Sequence, residues 1–192
     1  MSYLFFDTET TGIPRNYKSP ASDSRNWPRL VQIAWLRMDE GGQELEAAEH
    51  IIKPDGFVIP SDAARVHGIT TERALREGEP LDQVLEQFVA DLQEATALVA
   101  HNVQFDEKIV GAELLRTGQP NVVESKRRLC TMLSSTDFCR IPGPYGNKWP
   151  TLSELHLKLF GQPLQGAHRA LVDVRACARC FTQLVWIGVI HL

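Results

Sequence analysis

The stretch Tyr3-Leu4-Phe5-Phe6-Asp7-Thr8-Glu9-Thr10-Thr11-Gly12-Ile13-Pro14 decides the fold. Its first four residues are apolar and mostly aromatic, the composition of a buried strand. The Thr-Thr-Gly-Ile-Pro cluster that follows is a strand breaker. At the junction stand two acids, Asp7 and Glu9, at i and i+2. Alternate residues of a strand share a face, so both carboxylates project the same way beside an apolar run. Like charges so close resist ionisation. A hard divalent cation, which prefers carboxylate oxygen, relieves that repulsion. A solvated acidic strand end is the plain alternative, and the pair alone does not decide between them.

Outward from this strand, residues 14–29 are polar and punctuated by Pro14, Pro20 and Pro28, and read as a loop. Residues 30–38 and 46–53 read as two further strands, parted by the turn signal Glu40-Gly41-Gly42. Spacing this short predicts antiparallel pairing. Beyond Pro80 the period changes: Leu81, Val84, Leu85, Phe88, Val89 and Leu92 form one helical stripe. Residues 97–100 are a compact buried strand that leads into a helix from Val103, ended by Gly118 and Pro120. Residues 129–133 are expected to be a fifth strand. Residues 139–150 form a Pro/Gly loop, Thr151-Leu152-Ser153-Glu154 is a capping box, and Gly161 closes the helix it opens. A last helix starts near Arg169 and turns Ala170, Val174, Cys177, Ala178, Phe181, Leu184 and Val185 inward. Three early strands followed by strand–helix alternation predict an α/β fold with a mixed sheet.

At 192 residues the chain suits one domain. Hydrophobic residues at 43% and charged residues at 23% exclude collagen-like and disordered classes. No apolar run approaches the ~18 residues of a membrane span. No basic segment precedes Asp7, so a cytoplasmic protein with four reduced cysteines is expected. The formal net charge is −4. That argues against gripping nucleic acid by counterion release alone. It does not argue against an enzyme that reaches phosphates through metals, because four ligand carboxylates holding two divalent cations would bring the total to zero.

Two more acids join the first pair. Asp106 follows the strand 97–100 near the first turn of the next helix. The helix dipole favours an acid there, and ligands gather at such strand carboxyl ends. Asp173 shares a stripe with Cys177, Cys180 and Leu184, where an acid is costly unless paired or metal-bound. His168 stands just before it, after Gln165-Gly166-Ala167, and its ordinary pKa near 6.5 suits a proton carrier. Four acids and one histidine suit phosphodiester hydrolysis with two cations about 3.5–4 Å apart, His168 taking the proton from the attacking water.

Three segments, Phe6-Asp7-Thr8-Glu9-Thr10-Thr11-Gly12, His101-Asn102-Val103-Gln104-Phe105-Asp106 and Ala167-His168-Arg169-Ala170-Leu171-Val172-Asp173, resemble the motifs of the DEDDh 3′–5′ exonucleases in order and spacing. Val66-His67-Gly68-Ile69-Thr70 resembles that family too. Asp-Thr-Glu-Thr-Thr-Gly is most similar to the proofreading (epsilon) subunits of bacterial DNA polymerase III and their stand-alone relatives. The resemblance implies a single exonuclease domain with a ribonuclease-H-like fold. Its mixed sheet has five strands, three antiparallel and then two parallel, flanked by helices. It implies two Mg²⁺ or Mn²⁺ ions held by Asp7, Glu9, Asp106 and Asp173, and His168 as general base. It further implies contacts to the terminal nucleotide from Thr10, Thr11, Gly12, His67, Ile69, Asn102 and Phe105. The substrate implied is a single-stranded DNA 3′ end, cut to nucleoside 5′-monophosphates. RNA ends are the alternative, since no residue reveals how a 2′-hydroxyl is treated. A binding subunit docked on a replicative polymerase is the alternative from another class.

Other signals carry less. Cys177 and Cys180 lie inside a helix without a partner pair and read as core thiols. Lys126-Arg127-Arg128 reads as a solvated basic loop, with contact to backbone phosphate as the alternative. Lys148 and Trp149 could meet a nucleic-acid strand by charge and stacking, or Trp149 could anchor packing. His50, His156 and His191 receive no role.

Overall fold

The N-terminal apolar run forms the central strand, β1 (Ser2–Thr10), in a computed structural model that describes residues 2–167 and 169–192. On one side β2 (Leu30–Asp39) and β3 (Glu44–Ile51) continue the sheet antiparallel. On the other, β4 (Ala97–Ala100) and β5 (Arg127–Cys130) lie parallel to it, in the order β3-β2-β1-β4-β5. This is the five-stranded mixed sheet that the sequence implies. Among the described residues, seven α-helices accompany it: α1 (Ser61–His67), α2 (Thr71–Glu77), α3 (Leu81–Glu94), α4 (Val103–Arg116), α5 (Thr131–Cys139), α6 (Leu152–Phe160) and α7 (Ala170–Trp186).

The alternation of β1 divides the core. Leu4 and Phe6 face α3 and α4, packing with Val84, Phe88, Leu92, Ile109 and Val110. Tyr3 and Phe5 face the opposite layer, with Leu155 of α6 and Val174, Cys177, Phe181 and Leu184 of α7. The Phe181 ring stands 5.3 Å from both Tyr3 and Phe5. Since aromatic side chains bury large apolar areas, these contacts fix α7 across the strand that carries Asp7 and Glu9. A small third cluster of Val31, Ile59, Ile69 and Ala74 seats α1 and α2. Both halves of the expected capping box form on α6, with Thr151 N–H donating to Glu154 at 2.8 Å and Glu154 N–H to Thr151 at 3.2 Å.

Several expectations need correction. The apolar run 129–133 straddles a junction: its first part ends β5 at Cys130, and Thr131 starts α5. Lys126-Arg127-Arg128 is therefore not a solvated loop. Lys126 Nζ donates to the carbonyls of Gln93 and Ala95 at the end of α3 (3.2 and 2.8 Å), and Arg128 pairs with Glu107 at 2.9 Å. Trp149 is 64% exposed and anchors no core, while Lys148 pairs with Glu154 at 2.7 Å. Within 139–150, Pro142–Gly143 and Gly146–Asn147 pair as a two-stranded hairpin. All four cysteines are free, and Cys177 and Cys180 are buried core thiols as expected. Among the described residues, no helix is long and apolar enough to cross a membrane.

Candidate active site

Asp7 and Glu9 leave β1 on the α7 side, as the period-2 argument requires. There they meet Asp173, buried in the first turn of α7. One carboxylate oxygen from each of Asp7, Glu9 and Asp173 lies within 4.8 Å of the others. Asp106 arrives from the other layer, in the first turn of α4, and is 3% exposed. Its Oδ1 accepts hydrogen bonds from the Thr8 backbone N–H (3.1 Å) and the Thr8 hydroxyl (2.7 Å). Thr8 thus points away from its two acidic neighbours and fixes the fourth acid behind them. The four acids foreseen in the sequence come together, three as a close triad and Asp106 clamped to the intervening residue.

The charges are costly without a counter-ion. Burial, followed by the charges of Asp106, Glu9 and Asp173, pushes the Asp7 carboxyl well above the carboxylate range. Burial, then Asp173 and Asp106, raises Glu9 to about 7. Burial raises Asp106 to about 7 as well, against the lowering effect of the two Thr8 hydrogen bonds. Folded-state values above the unfolded ones mean that protons stabilise the cation-free fold. That contribution is complete below the ordinary carboxylate range and is lost as pH rises through about 7. The protein in EDTA should therefore melt several degrees higher at pH 5 than at pH 8, at about 2–4 °C per kcal/mol. Added Mg²⁺ should recover the difference at pH 8. Calorimetry across that range checks this, and a flat melting temperature would contradict the repulsion.

A cavity of ≈290 Å³ opens over Asp7 and Asp173, lined also by His101, Thr151, Leu152, Ser153 and Ala167. Larger clefts of ≈610 and ≈720 Å³ lie elsewhere, beside Arg29 and Lys53 and beside Arg175 and Arg179. Volume does not choose the site; the converging acids do. His101 had no role assigned from sequence. Its Nδ1 lies 3.0 Å from Thr131 Oγ1, and its Nε2 lies 2.9 Å from the Pro150 carbonyl. A carbonyl can only accept, so Nε2 carries the proton. The ring therefore ties the end of β4 to the segment that opens α6 over the cavity. Burial holds its pKa below the ordinary histidine value.

The residues expected around a terminal nucleotide fall in three places: the turn out of β1, the α1–α2 region and the start of α4. Thr10 is buried, and its hydroxyl donates to the Gly12 carbonyl at 2.6 Å. Thr11 Oγ1 accepts from Arg29 N–H at 3.0 Å, so both hydroxyls shape the turn out of β1. Gly12 has φ 148°, a conformation that side chains rarely adopt. Ile69 is 1% exposed within the third cluster. His67 is buried at the end of α1, and its Nδ1 accepts from Ile69 N–H at 3.2 Å. Burial lowers its pKa. Both line a narrow cavity of ≈70 Å³ with Gln32, Glu49, Arg73 and Arg169. Asn102 stands before α4 in the left-handed region (φ 79°, ψ 48°), an uncommon conformation outside glycine. Phe105 is half-buried beside Asp106, its ring tilted against Tyr17 and edge-on to Trp27. His168 lies outside the described residues.

The RNase_T exonuclease family model matches residues 4–181. The chain belongs to this exonuclease family. The chain is 29% identical over 182 residues to the PolC-type DNA polymerase III of Streptococcus sanguinis, covering 93% of this chain and 11% of that one. It is 26% identical over 185 residues to the DNA polymerase III subunit epsilon of Treponema pallidum, covering 96% of this chain and 77% of that one. Among solved structures, E. coli exonuclease I in complex with a dT13 oligonucleotide has the same fold. The TM-score is 0.74 and the identity 23%, over 95% of this chain and 40% of the other. The chain spans about a tenth of the length of the PolC-type relatives it matches. Its sheet and helices are those of the ribonuclease-H-like exonuclease fold.

Proposed function

We propose that the chain is a metal-dependent 3′–5′ exonuclease that removes nucleoside 5′-monophosphates from single-stranded DNA ends. The observation that carries this reading is the approach of Asp7, Glu9 and Asp173 to within 4.8 Å, with Asp106 clamped beside them. The donor set fits two Mg²⁺ or Mn²⁺ ions, because it is all carboxylate oxygen and the uncompensated acids resist ionisation. Cations bound there would supply charge for the scissile phosphate and for the leaving 3′-oxygen, and would acidify the attacking water. Thr8 aims Asp106, its two hydrogen bonds favour the ionised form against burial, and Phe105 supplies an apolar wall for the terminal base. His168, the chain neighbour of the cavity-lining Ala167, would accept the proton of the water, a role that rests on the motif.

The DNA substrate is supported by the epsilon-type relative and by the exonuclease I neighbour crystallised with dT13. The test is digestion of 5′-labelled DNA and RNA oligonucleotides with EDTA, Mg²⁺ or Mn²⁺. We expect a ladder shortening from the 3′ end of DNA only when metal is present, with circular single strands resistant. Full activity after exhaustive chelation would overturn the metal reading, and preferred digestion of RNA would transfer the activity to ribonucleotide ends. Similarity to a polymerase subunit favours a second reading, that the chain also docks on a replicative polymerase. Co-purification with that polymerase would test it.

A further inference from the structure

We propose that residues 14–29 form a platform for the single-stranded segment on the 5′ side of the terminal nucleotide, with Tyr17 stacking on a base and Arg15 and Lys18 meeting backbone phosphates. The proposal rests on the exonuclease reading and extends the site beyond the nucleotide that is cut.

Long segments without helix or strand are uncommon in compact domains and are usually functional. This one has neither helix nor strand and is nevertheless tied down. Asn16 N–H donates to Asn26 Oδ1 at 2.8 Å, and Asn26 Nδ2 donates back to the Asn16 carbonyl at 2.9 Å. Trp27 Nε1 donates to the Pro20 carbonyl at 3.0 Å, and the Arg116 guanidinium of α4 donates to the carbonyls of Ser24 and Trp27. A loop held at both its crossing points is preorganised and loses little entropy on binding.

What it displays is suited to a polynucleotide. Tyr17 is 50% exposed, and its ring lies 6.4 Å from Phe105, the residue before Asp106. It therefore extends the aromatic wall of the active site outward. Although the whole chain is acidic, this segment carries Arg15, Lys18, Arg25 and Arg29 against the single acid Asp23. Arg29 is spent on the buried Glu113 at 2.9 Å. Arg15 and Lys18 are exposed and have no acid partner among the described residues. An exposed ring flanked by unspent cations is the arrangement by which single strands are held without sequence preference. A duplex would offer the ring no free base face.

The experiment measures binding without cleavage. A 5′-fluorescein-labelled oligothymidylate is titrated in EDTA at a series of NaCl concentrations and followed by anisotropy. Tyr17→Ala should weaken binding about tenfold and Tyr17→Phe should restore it, since the ring and not the hydroxyl stacks. Arg15→Gln and Lys18→Gln should each reduce the salt slope by about 0.7, the single-strand value per phosphate contact. Melting temperatures equal to the parent's show that the variants are folded. Variants with the parent's affinity and slope, or a parent that does not bind the strand, would overturn the platform. A parent that binds through these residues yet releases no nucleotide with Mg²⁺ or Mn²⁺ would overturn the exonuclease reading and leave the platform standing.

Discussion

Asp7→Asn should melt higher than the parent in EDTA at pH 8 and should have almost no nuclease activity with Mg²⁺. Both effects have one cause. In the cation-free fold Asp7 is desolvated and faces the charges of Asp106, Glu9 and Asp173. An amide of nearly the same shape removes that repulsion, so stability rises. The same amide has no charge to hold a cation. Transition-state charge stabilisation worth several kcal/mol is lost, and the rate should fall about 10³-fold or more. Stability gained where function is lost is expected of strained sites. Isothermal titration with Mn²⁺ should show heat for the parent and none for the variant. A variant less stable than the parent in EDTA would mean that the acids are not held against their own repulsion.

His168→Ala should separate chemistry from metal binding. In the proposed scheme the imidazole accepts a proton and ligates nothing, so Mn²⁺ titration should match the parent's. The single-turnover rate should fall about 10²–10⁴-fold, the usual contribution of a positioned base. Since only neutral imidazole accepts a proton, parent activity should also fall below about pH 6–7. Water on a cation titrates as well, so the pH limb alone does not assign the base; the pair of measurements does. Loss of Mn²⁺ binding in His168→Ala, equal to that in Asp173→Asn, would make the histidine a ligand and remove it from the base role.

The features legible in the sequence were those with a local period. Asp7 and Glu9 share a face because strands alternate, and Asp173 is buried because its stripe is apolar. The α6 capping box was readable for the same reason, its partners lying three residues apart. Features decided by distant partners were not readable. Asp106 is held by Thr8, 98 positions away, and His101 by Thr131 and Pro150, 30 and 49 positions away. Helices α1 and α2 have seven residues each, too few for a stripe, and depend on the small cluster around Ile69. Their local signals were confined to the ends, where Thr70 caps α2 at 3.2 Å and Gly68 closes α1 at φ 75°. The run 129–133 misled because a short apolar segment looks alike in a strand end and a helix start.

The alternation of β1 has a consequence for how the molecule reaches its native state. Odd positions 7 and 9 supply two of the triad's three acids, while even position 8 reaches to the opposite layer. A slip of one residue in pairing with β2 would exchange these roles throughout the strand. Asp7 and Glu9 would enter the layer of Val84, Phe88 and Ile109, and Phe6 would be pulled out of it. Such a misregistered sheet would leave two carboxyl groups in hydrocarbon without partners, at a cost of several kcal/mol, a large share of typical net folding stability. Mispaired conformers are thus disfavoured by the same two side chains that build the candidate site.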